Sequence, residues 1–324
     1  MGFRGVGAIH ESPVQASEYF LYHSYLESRI SYLFWRQPKI NIFLKGFFIL
    51  CRNIFQYGLD KCYMFRGDLM RSVGKTDIGL VRKVNEDSFL CEKLDGIEDT
   101  YLYIVADGMG GHNAGEVASS MAVEEIASYI KENIGELMLG DREIQDLIRN
   151  AITHANDKVY KTSILKSNCL GMGTTLSMVL VKGTVIYIGH VGDSRIYLIR
   201  ENRIERLTED HSLVAELIKA GTIKPEEAAN HPQKNVITKA LGTEYTLEPD
   251  VSRCDMQNGD IILICTDGLS NTVYEEDIVD LVVNTSDLNE ACELLVNKAK
   301  EKGGFDNITA VVIQMCKGGD YSGR

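Results

Sequence analysis

From Met70 onward the apolar positions follow two patterns. Short runs rich in Val, Ile, Leu and Tyr occur at Ser88–Cys91, Leu102–Ala106, Thr175–Val181, Val185–Val191, Ile196–Ile199, Ile261–Cys265 and Ile308–Gln314, and these are expected strands. Apolar residues recur at helical spacing in Glu116–Glu132, Glu143–Leu165, Leu213–Ala220, Glu275–Val283 and Leu288–Lys302. The strands come in clusters with helices between the clusters. That order predicts an α+β protein with antiparallel sheets and packed helices, since a doubly wound sheet would alternate strand and helix regularly. No internal repeat or low-complexity stretch interrupts it. Thr222–Leu241 holds Pro225 and Pro232 and fits neither pattern, which predicts an irregular surface excursion of the kind that carries lids and substrate loops.

Before Met70 the pattern is lost and the composition changes. Residues 1–69 hold 8 of the 10 Phe, 6 of the 15 Tyr and the single Trp, Trp35. They carry a charge of about +3, whereas 70–324 carries about −15 of the chain's −12 total. The most apolar stretch, Ile40 to Phe55, is broken by Lys45 and Arg52 and falls short of the ~20 residues that span a bilayer. The expectation is that 1–69 is an extension outside the folded domain, upstream of a true start at Met70. A membrane-surface or partner-binding segment and a packed extension are the competing readings. The domain itself is expected over 70–317, with 318–324 a polar tail.

The negative balance argues against a large nucleic-acid footprint, which needs a basic face. None of the eight cysteines forms a CxxC pair, so a structural zinc site has no support. Several cysteines, such as Cys265, sit inside apolar runs and read as buried thiols of a reducing compartment. No secretory signal opens the chain, and a cytoplasmic protein is expected.

Four acidic clusters flank the expected strands. Asn85-Glu86-Asp87 precedes Ser88–Cys91. Asp107-Gly108-Met109-Gly110-Gly111-His112 follows Leu102–Ala106. Asp267-Gly268 follows Ile261–Cys265, and Asp306-Asn307 precedes Ile308–Gln314. A carboxylate at a strand end is held on a rigid support, and the glycine after it lets the chain turn and bares its carbonyl. Carboxylates gathered without cations repel one another. Hard divalent ions such as Mg²⁺ or Mn²⁺ resolve that repulsion with oxygen ligands and retained water. Any one Asp-Gly is ordinarily a turn, so spacing supports a divalent-metal site and nothing finer. Asp193, in Gly189-His190-Val191-Gly192-Asp193-Ser194-Arg195, is a further ligand or the capping residue of its turn. His112 is a proton donor or a structural loop histidine. No Cys is followed six residues later by Arg, and no GxSxG appears, so cysteine-phosphatase and serine-hydrolase chemistry lack their nucleophiles.

In this order the clusters resemble the bacterial branch of the metal-dependent serine/threonine protein phosphatases, the PPM or type 2C family. The stretches that carry the resemblance are Thr76–Asp87, Val105–His112, Gly171-Met172-Gly173-Thr174-Thr175, Gly189–Arg195 and Leu207-Thr208-Glu209-Asp210-His211-Ser212. His231–Gly242, Thr266-Asp267-Gly268-Leu269-Ser270 and Asp306-Asn307-Ile308-Thr309 complete it. The resemblance spans about 70–316.

It implies a four-layer α/β/β/α sandwich with the metals in a cleft at one end. By motif, Asp87, Asp107 and the carbonyl of Gly108 would surround two Mn²⁺ or Mg²⁺ ions, Asp267 and Asp306 would close the site, and Asp193 would bind a third, weaker ion. Arg82 would bind the substrate phosphate, Glu86 would support metal-bound water, and His112 would protonate the leaving group. The implied reaction is hydrolysis of phosphoserine and phosphothreonine in proteins by a hydroxide bridging two cations. The implied partners are phosphoprotein substrates and an opposing bacterial serine/threonine kinase; residues 70–324 would act as a monomer without nucleic acid or membrane. A non-catalytic phosphoprotein-binding module and a phosphatase for small phosphometabolites are the alternatives.

Overall fold

The computed structural model describes residues 62–66, 69–110, 114–228 and 231–316. Most of 1–69, His112 and the 318–324 tail lie outside the described residues. Two antiparallel sheets form the centre. One runs in the order β1 (Cys62–Arg66), β2 (Met70–Asp77), β12 (Ile308–Met315), β11 (Ile261–Cys265), β8 (Arg195–Arg200) and β9 (Arg203–Arg206). The other runs β10 (Asp250–Asp255), β7 (Val185–Val191), β6 (Leu176–Lys182), β4 (Thr100–Met109) and β3 (Asp87–Lys93), with the two-residue β5 (Gly173–Thr174) pairing the end of β4. β1 lies upstream of Met70 and pairs with β2 from Cys62↔Lys75 to Arg66↔Arg71.

Helices cover both outer faces, which makes the four-layer sandwich. Alternate residues of one strand therefore enter different cores. In β4, Leu102, Ile104 and Ala106 pack with α1 (Ala114–Glu132) and α2 (Asp141–Leu165), while Tyr101, Tyr103 and Val105 face the opposite sheet. In β11, Ile261, Leu263 and Cys265 join α6 (Glu275–Val283) and α7 (Leu288–Glu301), while Ile262 and Ile264 point into the space between the sheets. Burial on both faces explains why these strands read as unbroken apolar runs although their sheets are antiparallel.

The helices follow from their patterns. α2 buries Ile144, Leu147, Ile148, Ala151, Ile152, Ala155 and Val159 along one stripe. α1 turns small residues inward, among them Ala114, Gly115, Ala118, Ser119 and Ala122. At the start of α7 the Asp287 carboxylate accepts from the backbone N–H groups of Asn289 and Glu290, and Lys298 and Lys300 sit in the last turn, where the helix dipole favours cations. α3 (Leu213–Lys219) is capped by Ser212, whose hydroxyl accepts from Ala215 N. The expected excursion is exposed and irregular in its described part, with one short helix, α4 (Pro225–Ala228). One-turn α5 (Asp267–Ser270) stands where an Asp-Gly turn is expected. Among the described residues, no helix is long and apolar enough to cross a membrane.

Candidate active site

The expected site residues other than His112, which lies outside the described residues, gather at one end of the sandwich. Asp87 and Asp107 are direct cross-strand partners, because β3 and β4 pair in register from Asp87↔Asp107 to Lys93↔Tyr101. Asp87 is buried and Asp107 half-buried, and the sheet itself places these acids side by side. Gly108 N donates to Glu86 O at 3.1 Å, which closes the turn into β3. Asp107 is held from the other side: its N–H donates to Thr175 Oγ1 at 3.0 Å, and its carbonyl accepts from Thr175 N and Thr174 Oγ1.

A chain of hydroxyls that spacing does not reveal fixes Asp87. Thr309 Oγ1 donates to Asp87 Oδ2 at 2.6 Å, and Thr266 Oγ1 donates to the same oxygen at 3.0 Å. Thr309 has spent its proton on Asp87, so the 2.7 Å contact with Thr76 must have Thr76 as donor. Thr76 in turn accepts from Asn85 Nδ2. Thr266 and Thr309 stand directly beside Asp267 and near Asp306 in the sequence; the end of the β11–β12 ladder sets them side by side, and β3 of the facing sheet brings Asp87 to them. The other oxygen, Asp87 Oδ1, is buried without a hydrogen-bond partner, and so is Asp193 Oδ1.

Asn307, which the sequence motif includes without a role, is a second such residue. Its Nδ2 donates to Ile78 O and Val84 O, each at 3.0 Å, and its Oδ1 accepts from Glu86 N at 2.9 Å. One buried amide thus sets the loop carrying Arg82 and Glu86. Arg82 reaches Asp306 with a 2.7 Å hydrogen bond and lies 3.9 Å from Glu86 Oε2. Glu86 sits at the N-terminus of α1, where Gly115 N donates to its carboxylate. A Cβ on Gly115 would fall 2.5 Å from Glu86 Oε1, so glycine is required for that approach.

The electrostatics show the cost of gathering these acids. Burial raises the Asp87 pKa, the Thr309 and Thr266 hydrogen bonds oppose the rise, and the nearby Asp267 and Asp306 add to it. Asp107 is pushed well above the ordinary range by burial and then by Asp87, Asp267, Asp193 and Asp306. Asp267 is raised by burial and by Asp306, and its hydrogen bond with Asp107 offsets part of that. Asp193 is raised by burial, then by Asp267 and Asp210. The donors fit hard divalent cations on three counts: all are oxygens, two carboxylate oxygens are buried without a partner, and the cluster lacks enough positive charge of its own. Among the described residues no three His, Cys, Asp or Glu side chains converge closely enough to hold an ion by themselves.

Comparison with known proteins decides the family. The protein phosphatase 2C profile matches residues 81–302. The chain belongs to the protein phosphatase 2C family. It is 39% identical over 256 residues to the serine/threonine phosphatase stp of Listeria welshimeri, covering 78% of this chain and all of the relative. The crystal structure of the Mycobacterium tuberculosis serine/threonine phosphatase PstP/Ppp aligns with a TM-score of 0.69 at 34% identity, over 77% of this chain and all of that one. A structure of the PstP catalytic domain in complex with two manganese ions aligns at 0.67 with 32% identity, over 77% and 99% of the two chains. The antiparallel four-layer sandwich expected for this phosphatase 2C member is therefore its fold.

Behind the site, His190 is buried in the phosphatase 2C domain. Its Nε2 faces the Glu209 carbonyl at 3.1 Å and so carries the proton, while Nδ1 lies 3.0 Å from Ser177 Oγ, a hydroxyl shared with the Ser194 carbonyl at 3.1 Å. The His211 ring stacks on it at 5.1 Å. Burial, with the His211 ring adding to it, lowers the His190 pKa from 6.5 to about 4. The unfolded chain therefore binds a proton that the fold refuses between those values, so this group costs stability as pH falls from 6.5 towards 4. Relative to a folded His190→Gln variant, the wild type is expected to lose about 2 kcal/mol more between about pH 7 and pH 5. Urea titrations of both proteins at the two pH values, with divalent metal present, check this. Equal losses would show that His190 is not held neutral.

Proposed function

We infer that the chain is a metal-dependent phosphatase for phosphoserine and phosphothreonine in proteins. The observation that carries the reading is the cross-strand pair Asp87–Asp107 with Asp267 and the arginine-held Asp306 near enough to raise both their pKa values. Asp87, Asp107, Asp267, Asp306 and the Gly108 carbonyl would hold two Mn²⁺ or Mg²⁺ ions, and Asp193 a third. When bound, such ions neutralise phosphoryl charge and make water nucleophilic at neutral pH.

The chain's own residues do the rest. Arg82 presents a planar fork of donors to the phosphoryl oxygens, and its bond to Asp306 fixes the fork's direction. Glu86, whose pKa burial raises, accepts a hydrogen bond from the attacking water and orients it. Attack on phosphorus in line with the seryl or threonyl oxygen leaves an alkoxide, and His112 is placed by its motif to protonate it. No covalent phosphoenzyme is needed, in keeping with the missing cysteine motif. The reading extends to phosphoprotein substrates of a serine/threonine kinase, action as a monomer, and a cytoplasmic setting supported by the buried Cys265 thiol.

The test is phosphate release from a phosphothreonine peptide by the full chain with Mn²⁺, after EDTA, and after Mn²⁺ is restored. Activity is expected to appear, vanish and return. Turnover unaffected by EDTA would overturn the metal assignment. Free phosphometabolites hydrolysed faster than phosphopeptides would replace the protein substrate with a small one.

A further inference from the structure

The loop between β2 and β3 is tied down along its length. Asp77 accepts from Gly79 N at 2.8 Å and from Lys300 Nζ at 2.6 Å. Leu80 N donates to Gly304 O at 2.7 Å, and Asn307 holds the Ile78 and Val84 carbonyls. A backbone fixed at this many points keeps its outward side chains in place.

On one side of Arg82 this loop presents apolar side chains, and on the other the exposed Lys83. Leu80 is 64% exposed and Val81 60% exposed, and Phe305, one residue before Asp306, is 66% exposed. The adjoining glycine pair makes room for two of them. Gly303 and Gly304 both have positive φ, +126° and +51°. A Cβ on Gly303 would lie 2.2 Å from Phe305 Cε2, and one on Gly304 would lie 2.9 Å from Leu80 Cγ. Phe305 and Leu80 thus each lie against one of two neighbouring glycines. Exposed hydrophobic residues scattered singly need no explanation, but a patch gathered round one polar group marks a contact surface.

We propose that Leu80, Val81 and Phe305 form a shelf that receives an apolar side chain of the substrate protein next to its phosphorylated residue. The inference rests on the reading of Arg82 as the phosphate-binding group. Arg82 follows Val81 directly, and its guanidinium bonds the residue that follows Phe305. A phosphoryl group on that guanidinium brings the neighbouring residues of an extended peptide, ~3.3–3.6 Å apart, over the shelf. A small phosphate ester has nothing with which to reach the shelf.

The experiment uses the full chain with Mn²⁺ and three phosphothreonine peptides that carry Leu, Ala or Glu on both sides of the phosphoresidue, with p-nitrophenyl phosphate alongside. The wild type is expected to turn over the Leu peptide with kcat/KM about tenfold above the Ala peptide, ~1.4 kcal/mol, mostly through KM. The doubly substituted Leu80→Ser/Phe305→Ser protein should bring the peptides within about twofold of one another while its p-nitrophenyl phosphate turnover stays unchanged. Equal wild-type rates on all three peptides would overturn the shelf, and that arm requires no variant to fold. Proportional loss on peptides and on the small ester in the variant would overturn it too, by showing a structural role. No hydrolysis of any substrate by the wild type would overturn the phosphatase reading, and the shelf with it.

Discussion

Replacing Asp107 with Asn is expected to lower turnover by at least about a thousandfold and, in the absence of divalent metal, to stabilise the protein. Both effects have one origin. Asp107 is half-buried and faces the charges of Asp87, Asp267, Asp193 and Asp306, which with burial hold its pKa well above the ordinary 3.8. A carboxyl raised in the fold binds protons there more tightly than in the unfolded chain. Its contribution is complete below pH 3.8 and is lost as pH rises through the folded value. At pH 8 without metal, the wild type therefore carries the full repulsion, and an uncharged amide does not. Asparagine keeps the volume and the backbone bonds to Thr174 and Thr175, so the fold should persist. It lacks the charge that would attract cations, so the rise in Tm on adding Mn²⁺ should shrink as activity disappears. Thermal melts with EDTA and with Mn²⁺, run beside a phosphopeptide assay, check the three effects together. Wild-type turnover in the folded variant would remove Asp107 from the machinery. A metal-free melting point lowered by several degrees would show that the carboxylate is satisfied without cations.

That stored repulsion also bears on what the sequence discloses. The carboxylates were legible because each ends or begins an apolar run, and such runs are conspicuous when both faces of a strand are buried, as in β4, β11 and β12. β9 and β10 were not legible. Their sequences, Arg203–Arg206 and Asp250–Asp255, lie at sheet edges with mostly exposed side chains, so no apolar period betrays them. β2 offers Val73 as its outward signal, because its other buried positions include Ser72, Thr76 and Asp77. Thr76 and Asp77 are held there by the bonds they make, not by hydrophobicity. The same limit applies within the site. Thr266, Thr309 and Asn307 act on partners about 40 to 230 positions away, and it takes the pairing of β11, β12 and β2 together with the facing sheet's β3 to make those partners neighbours. A threonine beside an aspartate carries no mark of that role.

Gly268→Ala is the change expected to damage fold and site together. Gly268 lies in α5 directly after Asp267, and a Cβ there would fall 2.0 Å from Asn307 O and 3.5 Å from Asp306 Cβ. The obstacle is backbone and cannot rotate away. Nor can residue 307 easily retreat, since its side chain holds Ile78, Val84 and Glu86. An added methyl must therefore push α5 from the start of β12, which separates Asp267 from Asp306 or moves the Arg82 loop with them. Overpacking of this kind costs about 1–3 kcal/mol. A displacement of about 1 Å in a reacting constellation is worth on the order of a hundredfold in rate. The expected variant thus melts several degrees lower and loses at least about a hundredfold in kcat/KM on both phosphopeptide and p-nitrophenyl phosphate. Loss on the small ester separates this change from damage to the apolar shelf, which spares it. Gly135→Ala is the control, because nothing lies within 4 Å of its added Cβ, and it should leave melting point and turnover near wild type. If Gly268→Ala matched that control, the spacing of Asp267 and Asp306 would be set by something other than this contact, and α5 could not be the element that fixes the far side of the site.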